Sequence, residues 1–180
     1  MHTPNLRTHK LLVARISVPF DTAIRQAGPW TTYISPEKKA AALARKKKKE
    51  REILLDSLIW QAEPLYRNIS NPVLGEVTLT LLNFGSGSKI AGPTAVLFAE
   101  TKGLRPASPY EVFGVGIQHP TLYHELKMEP AAILSPEPRM FDGVNRVCCV
   151  WLGRMQKECA FVPFDYPLHD GYWFAFVESE

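Results

Sequence analysis

Val147-Cys148-Cys149-Val150-Trp151-Leu152 is apolar at every position, which does not suit a strand with one face in water. Side chains of a strand alternate between the two faces of a sheet, so this strand needs apolar neighbours on both. It belongs in the middle of the domain. Residues 144–152 are predicted to pair with 158–164 through the connection Gly153-Arg154-Met155-Gln156-Lys157, and 172–177 supplies a last strand.

Further upstream, Val77, Leu79 and Leu81 alternate with Thr78 and Thr80, the pattern of a half-buried strand. Asn83-Phe84-Gly85-Ser86-Gly87-Ser88-Lys89 reads as a connection. The run Ala95-Val96-Leu97-Phe98 makes 94–99 another short strand. In 110–118, Phe113, Val115 and Ile117 take one side of a predicted strand. Gly114 and Gly116 leave its other side bare, so that a packed helix, or less readily a ligand, comes close. Residues 122–127 read as a helical turn and the proline-rich 129–139 as a loop. Near the start, 11–18 is a strand candidate with Leu12, Ala14, Ile16 and Val18 on a common face. A turn at Gly28-Pro29 and an extended piece at 31–34 follow.

Ser35-Pro36-Glu37 opens a helix. Serine accepts free backbone N–H groups, proline at the first position loses no bond, and the carboxylate suits the positive end of the dipole. Leu54, Leu58, Ala62 and Leu65 recur at steps of three or four, flanked by Leu55 and Ile59, and Pro64 favours a bend or stop near Glu63. A continuous helix over 36–62 would be roughly 40 Å long. Extending the Leu54 stripe backward reaches Glu50 and Lys47, which suit solvent. The front half, 36–52, is therefore expected to project while the rear half docks.

The fold class is α+β: a β-rich body over 73–178 with at least six short, mostly antiparallel strands, a sandwich or partly open barrel, and one long helix with a basic front half. Residues 1–180 read as a single domain. With 46% hydrophobic residues the chain has material for a core, which argues against disorder throughout. Fifteen prolines and eleven glycines favour short elements and turns over a helical bundle.

The functional signal lies in Ala44-Arg45-Lys46-Lys47-Lys48-Lys49-Glu50-Arg51. Residues 37–52 carry a local charge of +5 in a chain whose net charge is only +3. Such a concentration points to an anionic partner, nucleic acid first and acidic lipid second. Lys38, Lys39, Arg45, Lys46, Lys47, Lys48, Lys49 and Arg51 are the expected phosphate contacts, with Lys89 extending the patch. Lysine suits attraction to phosphate better than bidentate base recognition, so binding is expected to be largely sequence-independent. Solvation or nuclear targeting by the same residues is the plainer account. Trp30, Tyr33, Tyr66, Tyr110 and Tyr123 lie near element ends where rings can stack on bases, although aromatics in a sheet are usually core.

Enzymatic chemistry has weaker support. Gly85-Ser86-Gly87-Ser88-Lys89 lacks phosphate-loop spacing, and with a strand expected after Gly92-Pro93 no helix N-terminus follows it. His119, His124 and Glu125, together with Asp165, His169 and Asp170, would have to converge to hold a metal, and no His-Glu-x-x-His occurs. Asp142 and Glu111 complete the carboxylates of a conceivable nuclease. Cys148 and Cys149 sit in an apolar strand. The expectation is a non-enzymatic nucleic-acid-binding protein, without cofactor or metal, suited to a nucleoprotein assembly or oligomer. The alternatives are a small metal-dependent hydrolase or nuclease, and an adaptor that offers Leu54, Leu58 and Ile59 to a protein partner.

No apolar stretch is long enough to span a membrane, Met1-His2-Thr3-Pro4-Asn5 lacks a secretory pattern, and three cysteines do not read as a disulfide framework. An intracellular location, cytoplasmic or nuclear, is the expectation.

Overall fold

The apolar run lies inside β6 (Val144–Gly153), and both of its faces are covered. Cys148, Val150 and Leu152 enter one core, while Val147 and Cys149 enter a second on the opposite face. The computed structural model describes residues 5–45, 57–67, 75–85 and 90–178.

The other strands are β1 (Arg7–Ala14), β2 (Glu76–Asn83), β3 (Leu104–Pro106), β4 (Ala131–Leu134), β5 (Arg139–Phe141), β7 (Gln156–Pro163) and β8 (Tyr172–Glu178). They form one sheet that does not close on itself. Across it the order is β1-β2-β8-β4-β6, with β7 along the far side of β6. Described pairs are antiparallel except β4 with β8. Between β8 and β6 the middle position is divided: β3 continues the line of β4 beside β8, and β5 continues it beside β6. Buried Ser135 fastens the seam. Its Oγ donates to the Ala107 carbonyl at 2.7 Å, and its N–H donates to the Cys148 carbonyl at 2.9 Å.

One face is packed by α1 (Phe20–Ala27), a 3-10 turn (Ser57–Gln61), α3 (Glu63–Tyr66), α5 (Pro109–Gln118) and α6 (Leu122–Leu126). Between α1 and the 3-10 turn runs α2 (Pro36–Arg45). The second face carries α4 (Gly92–Glu100), whose buried Ala95 and Ala99 belong to the same core as Leu82, Leu134, Phe174 and Phe176. The mixed α+β class and the mostly antiparallel sheet stand.

Two predicted strands are helices. The segment 94–99 is α4: Gly92 and Pro93 begin it, alanines four apart face the sheet, and Leu97 is 64% exposed. An apolar run this short carries no period that separates strand from helix. The segment 110–118 is α5, opened by a capping box. Ser108 Oγ accepts from the Glu111 N–H, and the Glu111 carboxylate accepts from the Ser108 N–H at 2.8 Å. Its glycines do serve close packing. A Cβ on Gly114 would lie 2.6 Å from a Val13 methyl, and one on Gly116 2.8 Å from the Ala27 carbonyl oxygen.

Smaller departures follow the same logic. The predicted loop 129–139 contains β4 and the first residue of β5. The first strand begins and ends four residues earlier than 11–18, and its inward face is the other one: Leu11 and Val13 are buried while Leu12 is 52% exposed. Of the long helix, α2 covers 36–45, residues 46–56 lie outside the described residues, and 57–61 is 3-10 in form. Pro64 sits in the first turn of α3.

Candidate nucleic-acid interface

The link between α1 and α2 is fixed to the outer edge of β7. Pro29 bridges Glu158, the Trp30 N–H donates to the Lys157 carbonyl at 2.9 Å, and the Cys159 N–H donates to Thr31 Oγ1 at 2.6 Å. The Thr32 carbonyl accepts from Trp60 Nε1 at 3.1 Å. The Tyr33 ring stands at 83° to that of Trp60, with centroids 5.6 Å apart. The Arg25 guanidinium lies 4.6 Å from the Trp60 centroid, within cation–π range.

Each residue from Pro29 to Tyr33 thus has a contact that holds it. Trp30 and Tyr33 nevertheless remain 50% and 57% exposed.

Directly after this link, Ser35 caps α2 as its sequence suggests. Its Oγ accepts from the Lys38 N–H, and its carbonyl accepts from the Lys39 N–H at 2.9 Å. Lys38 is exposed. Lys39 Nζ donates to Gln61 Oε1 at 3.0 Å and lies 5.9 Å from the Phe141 centroid. Among the described residues, Arg25, Lys38 and Lys39 have no ion-pair partner, although Glu37 is a neighbour on the same helix.

Of the other cations singled out in the sequence, Arg45 ends α2. Lys46, Lys47, Lys48, Lys49, Arg51 and Lys89 lie outside the described residues. The aromatics divide: Tyr66 and Tyr123 are buried, Tyr110 packs on Phe20 and Phe113, and only Trp30 and Tyr33 of that group are exposed. Trp60 was not singled out. Its sequence signal is weak because it follows Leu58 and Ile59, which are buried and so are not offered to a partner. Leu54 lies outside the described residues.

Several of the candidate catalytic groups have partners within the protein. Burial alone would push the Glu111 carboxyl up. Hydrogen bonds from Arg105 and the Ser108 N–H, with the charges of Arg105 and Arg15, outweigh it and hold the group below the usual range. His119 Nε2 is 2.9 Å from the Leu12 carbonyl, His169 Nδ1 accepts from the Gly171 N–H, and Asp165 accepts from Asn145. His124 lies on Tyr123. Asp142 is in the β5–β6 turn with a φ of 49°. No group of three or more potential ligands is placed to hold a metal among the described residues. Burial pushes the Cys148 and Cys159 thiols up, so both stay protonated, and Cys149 is buried too.

A helix, α4, does start at Gly92-Pro93, in place of the strand expected there. Separately, an open cleft of about 450 Å³ is lined by Arg7, Asn83, Met128 and Asp170 among others. Its Asn83 amide donates to the Asp170 and Tyr172 carbonyls, and Arg7 donates to the Leu126 carbonyl, so both polar walls have internal bonds. No described helix is long and apolar enough to cross a membrane. Compared with family models, curated proteins and solved structures, the chain matches none.

Proposed function

We propose that this protein binds nucleic acid without catalysing a reaction and largely without regard to sequence, in a role suited to a nucleoprotein assembly. One observation carries the reading: Arg25, Lys38 and Lys39, unmatched by carboxylates among the described residues, belong to the two helices that flank the link with exposed Trp30 and Tyr33, and the second of these leads in sequence to the lysine run. Phosphates neutralise clustered lysines, and release of counterions drives such binding. The hydrolase alternative draws less support, because Glu111, Asp165, His119 and His169 already serve helix capping, strand edges and turns.

The test is binding of labelled RNA and DNA across a salt series. Five to eight phosphate contacts give a logarithmic slope of roughly −4 to −7 for duplex DNA. Comparable affinity for unrelated sequences supports the reading. A flat salt response, or no binding at low salt, contradicts it.

A further inference from the structure

The exposed rings narrow the kind of nucleic acid. In a duplex the base faces are stacked on one another, so rings on a protein surface meet mainly backbone and groove edges. A single strand offers its base faces directly, and base–aromatic stacking is tolerant of sequence. Trp30 and Tyr33 lie three positions apart on a segment held by Lys157, Cys159 and Trp60, so little freedom is lost when a base settles on them. Two cations are near, with carboxylates among their neighbours: Arg25 lies on Trp60, which Tyr33 also contacts, and Lys38 is the third residue of the helix that follows, after Glu37, while Glu158 bridges Pro29.

Beyond the edge-on contact of Tyr33 with Trp60, aromatic packing is carried by other residues. Phe20, Tyr66, Phe113 and Phe161 contact one another inside, whereas Trp30 and Tyr33 keep half or more of their surface in solvent.

We infer that Trp30 and Tyr33 form a stacking platform for single-stranded nucleic acid, with Arg25 and Lys38 placed for its phosphates. This inference rests on the nucleic-acid reading above and deepens it. It makes base stacking and phosphate attraction separable. Removing the rings lowers affinity at every salt concentration, and removing the lysines lowers the salt slope.

The experiment uses the full chain with fluorescein-labelled oligo-dT and oligo-rU of about 20 nucleotides and a mixed-sequence duplex of the same length, long enough to span such a site. Wild type is expected to bind the single strands more tightly than the duplex. Tyr33→Ala and Trp30→Ala should each weaken single-strand binding at least about fivefold with the salt slope unchanged, while Tyr33→Phe keeps wild-type affinity. Both positions are exposed, and a matching thermal unfolding midpoint certifies the fold of each variant. Equal affinity for duplex and single strand, with no loss on either alanine substitution, overturns the platform and leaves the general reading intact. Failure of all three probes to bind overturns both.

Discussion

Two sets of cations in this molecule meet opposite fates. Arg15 and Arg105 converge on the buried Glu111 carboxylate, Arg139 on Glu137 and Arg67 on Glu63, so those charges are matched within the protein. Arg25, Lys38 and Lys39 instead touch a ring, solvent, or a ring and an amide. A positive side chain therefore says little about function until its partner is known. The inner set around Glu111 supports the fold, the exposed Arg67–Glu63 pair adds little, and the outer set retains charge that reaches beyond the surface.

The largest expected effect breaks the inner set. Glu111→Gln leaves two arginine charges around a neutral amide and weakens the cap of α5. A loss of about 2–3 kcal/mol is expected, read as a lower denaturant midpoint. Acid should do the same gradually. The folded-state pKa of Glu111 is depressed, so its contribution is fully present above the ordinary carboxyl range and is lost as pH falls through the lowered value. Unfolding midpoints of wild type should fall over that acidic window, and Glu111→Gln should show a smaller change.

Next in size is the packing that brings α5 against its neighbours. Gly116→Ala places a methyl 2.8 Å from the Ala27 carbonyl oxygen and 2.9 Å from a Val150 methyl. A loss of about 1–3 kcal/mol is expected in the same unfolding measurement. Smallest for stability is Lys38→Gln in the outer set. Its unfolding free energy should stay within about 0.5 kcal/mol of wild type, while the salt slope of single-strand binding drops by about 0.7. A stability loss as large as that of Glu111→Gln would erase the distinction between the two sets.

How much was legible follows from which residues carried more than one signal. The β6–β7 hairpin was readable because a two-sided apolar strand, a glycine-containing turn and a second apolar strand agree. The N-terminus of α2 was readable from Ser35-Pro36-Glu37. Ser108-Pro109-Tyr110-Glu111 carries the same kind of pattern, but reading 110–118 from the alternation of Phe113, Val115 and Ile117 alone makes it a strand. That alternation arises because the helix packs on several sides and its glycines fit between β1, α1 and β6. At the candidate interface, Lys38, Lys39, Trp30 and Tyr33 were visible as residue types. Arg25 and Trp60 were not, because their contact joins α1 to a turn far along the chain, and sequence spacing does not encode it.

The central claim is that the lysine-rich segment meets a polyanion. The direct measurement is a logarithmic salt titration of single-strand binding for wild type and for the variant with Lys46, Lys47, Lys48 and Lys49 all replaced by glutamine. Weaker binding and a slope shallower by about 3 are expected of the variant, with an unchanged unfolding midpoint. An identical slope and affinity in the two proteins would contradict it.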